Sequence, residues 1–468
     1  MTKMVFCSYA DYTHNRRMKN NKQNTKQILS VFVELSKHIP PYLTSKVATE
    51  LRRSEPDIKL NARTFSLWSQ TASMLYCHLA HCLSLNDVCD SLNFHRAELN
   101  SLRNATAPCR NTLSHANRTR DSRFIQKVFW AQLEHLQQAQ PEFLQDGARR
   151  YFRLPRHIKR AVRAIDSTTI ELIAKCMEWA KHRKRKAAAK LHMVLDIATF
   201  LPIRIVADAA KPHDSTRMVE LCAGMKEGEI AVFDKAYVAF SHLYTLHQRG
   251  IFWVTRAKDN MCYETVKPLN IGRMQRIPKT VKISEGSEKQ TQKAKRLQNQ
   301  YLVVLKDEQI RLISPISQKQ YSEPLRLIEA QVKADNGEIK TMRFISNNMT
   351  WAASSICDLY RCRWAIEIFF KEIKQTLQIK TFLGFNQNAI EWQIWTAMLT
   401  YLILRYVAFM SKWKGSFKHL FTLVKGTLWL KRTVKSVVEF YGTASSKIPI
   451  VRINETPYLL GLNWDAVE

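Results

Sequence analysis

Apolar positions recur in several rhythms along this chain. From about residue 26 to 150 they fall at helical spacing, with Ile28, Val31, Phe32 and Leu35 on one stripe and Ile125, Val128, Phe129, Leu133 and Leu136 on another. That pattern predicts an all-α N-terminal domain, in which Ser84 caps a short helix and Pro108 opens a longer one over Arg110–Arg120. Between about 151 and 258 short apolar runs take over. Leu191–Phe200, Pro202–Ala207, Ile230–Asp234 and Ile251–Arg256 read as strands, with a helix from Pro212 to Cys222 capped by Asp214. Antiparallel strands first, then strands alternating with helices, predict an α/β fold with a mixed sheet.

Residues 259–345 break the pattern. Val281–Ile283, Gln300–Leu305, Ile310–Ile313, Leu325–Val332 and Thr341–Ile345 are β-like runs between charged turns, which predicts a β-rich insertion domain. Helical spacing returns over 346–430, in the segment around Leu359–Lys374, in Ala389–Ser411 and in Phe417–Leu430, while 431–468 carry no recognisable signal. Residues 1–25 form a polar arm with Arg16, Arg17, Lys19 and Lys22, a composition shared by disordered tails and by arms that touch nucleic acid.

Charge narrows the partner. Lys and Arg number 72 against 40 acidic residues, for a net charge of +32 and a pI near 9.9. Such an excess favours a polyanion, because each neutralised phosphate releases condensed counterions. Ribosomal and membrane-surface proteins are basic too, so charge alone names no mechanism. The apolar stretch Ala397–Arg405 is too short for a bilayer span and ends in a charge, so it is expected to be a core helix. No cationic, apolar leader opens the chain, and its ten cysteines lack paired C-x-x-C spacing; both point to reduced thiols in the cytoplasm. Cys77-His78-Leu79-Ala80-His81-Cys82 offers metal-ligating side chains, but its two i,i+4 pairs are offset by about 100° on a helix. A partly buried helix is expected there rather than a zinc site.

The chemistry-bearing spacing is Y-x2-R-x3-E-x6-K in Tyr360, Arg363, Glu367 and Lys374. On one continuous helix, offsets of about 3, 7 and 14 residues share a face, and Lys371 joins it. Cys362, Ile366, Phe369, Phe370, Ile373 and Leu377 mark a second, buried face. Two more carboxylates, Asp166 and Asp234, each follow an apolar run and are expected at the C-terminal edges of buried strands. Three carboxylates from two strands and a helix are suited to holding divalent metal ions.

Asp166, then Asp234-Lys235-Ala236-Tyr237, then the Tyr360/Arg363/Glu367/Lys374 segment resemble the catalytic motifs of bacterial insertion-sequence DDE transposases with the YREK signature. The resemblance runs from about 105 to 405 and includes Pro108–Asn117, Lys190–Asp196 and Arg343–Asn348. It implies a ribonuclease H-like fold, which the strand pattern fits, and an insertion domain between the second Asp and the Glu. It also implies DNA end cleavage and strand transfer in cut-and-paste transposition, with Asp166, Asp234 and Glu367 as catalytic ligands of two Mg2+ ions, for which Mn2+ would substitute. Tyr360, Arg363 and Lys374 would bind phosphates, with Lys371, Lys235 and Tyr237 assisting. The expected partner is double-stranded DNA, both the element's terminal inverted repeats and target DNA, bound by a synaptic homodimer in the bacterial cytoplasm at the nucleoid, with no membrane role.

Three further groups have two readings each. Arg110, His115, Arg118 and Arg120 suit the second helix of a helix-turn-helix, or an ordinary solvated face. The run Lys181–Lys186, with Arg183 at its centre, suits a backbone grip or a solvated hairpin tip. Trp253 suits base stacking or the core. Two rival classes fit less well: a regulator that no longer cuts would have lost the carboxylates, and a structure-specific nuclease of the same fold would lack the signature helix.

Overall fold

The computed structural model describes residues 29–60, 62–144, 158–172, 181–183, 186–209, 214–269, 302–333, 339–377, 379 and 382–441. The polar arm, the run at 281–283 and the end of the chain beyond 441 lie outside them.

The N-terminal region is all helical, as its periodicity requires: α1 Val31–Lys37, α2 Pro41–Ser54, α3 Leu67–Ala80, α4 Leu85–Phe94, α5 Arg96–Asn100, α6 Arg110–Thr119 and α7 Arg123–Ala139. Ser84 caps α4 in a reciprocal capping box with Asp87. The connection from α4 to α6 is not the short turn of a helix-turn-helix. Residues 95–109 intervene and contain α5.

The strands are β1 Val162–Leu172, β2 Lys181–Arg183, β3 Lys186–Asp196, β4 Leu201–Ala209, β5 Ile230–Phe233, β6 Phe252–Arg256, β7 Tyr263–Pro268, β8 Leu302–Leu312, β9 Leu325–Lys333 and β10 Ile339–Ser346. They form one ten-stranded mixed sheet in the order β2-β3-β1-β5-β6-β10-β9-β8-β7, with β4 also paired to β3. β1, β5 and β6 run parallel, whereas β3, β4 and β10 join antiparallel.

Two expectations change here. Among the described residues, the β-like runs after residue 259 join the first sheet: Phe344, Ile345 and Ser346 of β10 pair with Arg256, Thr255 and Val254 of β6, so β7 to β10 extend it. Asp166 does not end β1 either, because antiparallel pairing with β3 carries the strand on to Leu172.

Helices α8 Met218–Cys222, α9 Phe240–Gln248 and α10 Pro315–Gln320 pack on one side of the sheet. The other side is covered by α11 Ala353–Arg361, α12 Trp364–Thr376, α13 Gln387–Met410, α14 Phe417–Thr427 and α15 Val434–Tyr441, in one continuous core with the N-terminal helices. α13 is the centre of that core. It extends well beyond the apolar stretch that marked it and is long and apolar enough to cross a bilayer, but 72% of its most apolar window is buried against the rest of the chain. Trp392 and Tyr401 on it are fully buried, each worth roughly 1.5–3 kcal/mol of apolar transfer.

Candidate carboxylate active site

Strand alternation places the site. Val162 and Ala164 of β1, Ile230 and Val232 of β5, and Val254 of β6 face the core beneath α11 to α13. The parallel registers align Ile165 with Phe233 and Phe233 with Thr255. The next residues, Asp166, Asp234 and Arg256, therefore form one row on that same face. Asp234 emerges where β5 ends; Asp166 lies level with it although β1 continues.

The signature segment lies over this row, but not as one helix. α11 ends at Arg361 and α12 starts at Trp364, and between them the amides of Arg363, Ala365 and Ile366 donate to carbonyls three residues back. This tightened turn puts Tyr360 on one helix and Glu367 and Lys374 on the next, with Arg363 at the junction. Tyr360 packs on Phe344 at 5.0 Å and donates its hydroxyl to Asp234 at 3.2 Å. Arg363, with 11% of its side chain exposed, bridges Asp166 at 2.8 Å and Glu367 at 2.5 Å. Lys374 donates to the Thr169 carbonyl on β1 at 2.7 Å, and Lys371 is exposed. Tyr360 and Arg363 thus touch the strand row, Glu367 joins it through Arg363, and Lys374 docks three residues further along β1.

Arg256 was not among the residues expected from the sequence. Its guanidinium holds Asp234 at 2.8 Å through Nη2 and 3.2 Å through Nε. Its signal was positional: it ends the strand next to the one that delivers Asp234.

The electrostatics separate the two aspartates. Burial pushes Asp166 up to about 6; Arg363 and the Ser167 amide oppose the shift, and the charges of Glu367 and Asp234 add to it. Burial acts the same way on Asp234, but Arg256 and the Lys235 amide outweigh it and hold the carboxyl below its usual range. Burial also raises Tyr360 to about 12, so it remains a donor.

Other expected site residues separate cleanly. Tyr237 is fully buried with its hydroxyl 3.1 Å from His192 Nδ1, so it is a core residue and not a DNA contact. Lys235 is partly exposed beside the site and paired with Asp259 at 2.7 Å. Arg183 lies on β2 in the hairpin to β3; its side chain lies outside the described residues. Arg110, His115 and Arg118 are exposed on α6, in a part of the molecule separate from the carboxylates. Arg120 is a structural residue: it is buried and donates to the carbonyls of Phe65 and Ser66 and to Gln70. Trp253 is fully buried in the core. The rings of His78 and His81 meet backbone carbonyls. His81 Nε2 lies 2.6 Å from the Thr376 carbonyl, and His78 meets those of Leu377 and Gln393, so the pair caps the C-terminus of α12.

The donor set Asp166, Asp234 and Glu367 is all carboxylate oxygen, which suits a hard divalent cation. As the side chains stand, no three His, Cys, Asp or Glu groups among the described residues converge tightly enough to hold an ion. Arg363 supplies the countercharge between Asp166 and Glu367.

A mixed sheet with two strand-borne carboxylates in one row facing a helix-borne glutamate, with arginines and a lysine around them, fits the phosphoryl-transfer class of carboxylate sites. The chain belongs to the family described as Transposase DDE domain, whose profile matches residues 157–403; that family implies a divalent metal cofactor. A second profile, a domain of unknown function, matches residues 28–102. A Sinorhizobium fredii protein named as transposase y4zB is 30% identical over 54% of this chain and 62% of its own length. A Geobacillus stearothermophilus protein named as a transposase for insertion sequence element IS5377 is 25% identical over 56% and 60%. The chain therefore matches about six-tenths of the length of these relatives. A cryo-EM structure of the piggyBac transposase synaptic complex with hairpin DNA aligns over 93% of this chain and 85% of that one, at TM-score 0.37 and 11% identity.

Proposed function

We propose that this chain is an insertion-sequence DNA transposase that cleaves the ends of its element and joins them to target DNA. The observation that supports the reading is that Tyr360 and Arg363 tie Asp234, Asp166 and Glu367, from two strands and a helix, into one network. The parallel β1, β5 and β6 flanked by antiparallel β3 and β4 support a ribonuclease H-like core.

Asp166, Asp234 and Glu367 would hold two Mg2+ ions, or Mn2+ in their place. When bound, the ions supply charge neutralisation at the phosphorus and an activated nucleophile. The rest of the site acts through its own side chains. Arg363 exchanges its two carboxylates for a DNA phosphate and leaves them to bind cations. Its fork suits bidentate phosphate contact, Lys374 adds a point charge and Tyr360 a hydrogen bond. Arg256 keeps Asp234 ionised and aimed. Lys371, exposed on the helix that carries Glu367, and Lys235 would assist by contacting the flanking backbone. We further propose a homodimer that brings two DNA ends together, acting in the cytoplasm at the nucleoid.

DNA flanking the reading frame should carry imperfect inverted repeats bracketed by a short direct duplication. A marker placed between those repeats should be excised when the chain is expressed and retained when Asp166→Asn is expressed. Retention with the wild-type chain would remove the proposal.

A further inference from the structure

The parallel pairing of β1 with β5 stops at Ile165 and Phe233, one residue short of the two aspartates. Beyond that point the backbone ladder no longer sets the distance between Asp166 and Asp234. β1 runs on beside β3, whereas the chain after Phe233 turns away through the short helical turn Lys235–Tyr237. The spacing of the two carboxylates therefore depends on side chains, and those placed to set it lie behind the sheet. Strand alternation turns Ile165 and Ser167 to the face opposite Asp166, and His192, directly across from Ser167 on β3, turns the same way.

A polar network occupies that face. Tyr237 reaches back beneath the strands until its hydroxyl lies 3.1 Å from His192 Nδ1 and hydrogen-bonds the Ser167 side chain, with Tyr237 and His192 both fully buried. Ser167 donates to Asp214 at 3.2 Å, and Asp214 is paired with Lys190 and lies 3.8 Å from His192. Each hydroxyl residue also holds one aspartate through its own backbone. The Ser167 amide donates to the Asp166 carboxylate at 2.8 Å, and the Tyr237 amide to the Asp234 carbonyl at 3.0 Å. Satisfied polar groups in a dry interior hold a fixed geometry, so the two hydroxyls link the Asp166 strand to the Asp234 turn. Tyr321 gives the contrast. It is buried on the same side of the sheet and bonds a histidine in the same way, His247 at 2.7 Å, but it joins α9 to the end of α10.

We infer that Tyr237 is a positioning residue: its hydroxyl, bonded to Ser167, is a brace behind the sheet that fixes the separation of Asp166 and Asp234 on the front. The inference rests on the transposase reading and adds what holds the two carboxylates at one spacing for divalent cations. Tyr237 acts through the backbone at both ends of the brace and touches no reacting atom. Its effect is that of an outer partner which orients metal ligands, and loss of such a partner typically costs about 10–100-fold in metal affinity or activity.

Tyr237→Phe keeps the buried ring and removes the brace, and Tyr321→Phe is the matched control. The full chain carrying each is compared with wild type in Mn2+ binding without DNA, followed by electron paramagnetic resonance of the free ion, in the Mg2+ dependence of nicking of supercoiled plasmid, and in melting temperature. Tyr237→Phe should raise both the Mn2+ Kd and the Mg2+ concentration for half-maximal nicking about tenfold, with duplex affinity unchanged. Ser167→Ala, which cuts the brace at its less buried end, should shift both metal readings the same way. Tyr321→Phe also loses a buried hydrogen bond, so its melting temperature should fall comparably while both metal readings stay at the wild-type values. Wild-type metal readings in Tyr237→Phe and Ser167→Ala would overturn the brace and leave the transposase reading standing. Equal shifts in Tyr237→Phe and Tyr321→Phe would overturn it too, since general loosening would then suffice. Wild-type Mn2+ affinity in the double variant Asp166→Asn/Asp234→Asn would instead sink the carboxylate site on which the brace rests.

Discussion

Asp166 and Asp234 occupy neighbouring positions in one row, and their environments push them in opposite directions. The folded pKa of Asp166, about 6, stands above the ordinary aspartate value of about 3.9. Its contribution to stability is therefore full below pH ~4 and is lost as pH rises through about 6, amounting to roughly 2–3 kcal/mol at pH 7 without metal. Asp166→Asn in EDTA at pH 7.5 should melt at or above the wild type and lose that part of the pH dependence. Asp234 has the opposite sign: its lowered pKa gives stability present above the ordinary carboxylate range and lost as pH falls. Asp234→Asn should therefore melt below the wild type at pH 7.5, because it leaves Arg256 without its charge partner. Carboxylate repulsion alone would give both substitutions the same sign, so matched melting curves decide whether Arg256 matters. Arg256→Ala should also slow nicking at least about tenfold and raise the Mg2+ concentration needed for half-maximal rate. The acidic residues were legible because each breaks an apolar run. Arg256 was not, since its role depends on the register between β5 and β6, a tertiary fact.

At the scale of elements, spacing predicted one helix with one polar face, and the chain instead uses two helices joined by a tight turn at Cys362 and Arg363. Tyr360, Arg363 and Glu367 still meet, because the turn keeps right-handed helical angles at both residues. The loop that leads into α11 is fixed by a buried pair. Arg326 of β9 grips Asp307 of β8 at 2.8 and 2.6 Å and donates to the Trp351 carbonyl at 2.6 Å, with 4% and 0% of the two side chains exposed. Arg326→Ala should cost about 3–5 kcal/mol in chemical denaturation, because it strands a buried charge, whereas Asp307→Leu with Arg326→Met should restore most of it. Equal losses in both variants would show that packing, and not the charge, anchors the loop. The histidine motif on α3 was read as helix, but its task of capping α12 was hidden: the partner carbonyls lie about 300 residues away in sequence.

Across the whole molecule, the helical N-terminus, the mixed sheet and the helices after the signature were readable from periodicity, because each buries a face whose spacing matches its geometry. The union of the later strands with the first sheet was not, since β6–β10 pairing joins segments almost 90 residues apart and both edges carry ordinary strand patterns. That union matters to the site: Phe344, contributed by β10, is the surface on which Tyr360 rests.

The central claim is that Asp166, Asp234 and Glu367 form one metal-dependent cutting site. Nicking of an end-labelled duplex by wild type, Asp166→Asn, Asp234→Asn and Glu367→Gln, with binding to the same duplex measured in parallel, tests it most directly. The account predicts cleavage by the wild type only with a divalent cation, a loss of at least about a hundredfold in every variant, and binding unchanged within about threefold. Wild-type cleavage in any one variant, or cleavage in EDTA, would contradict it.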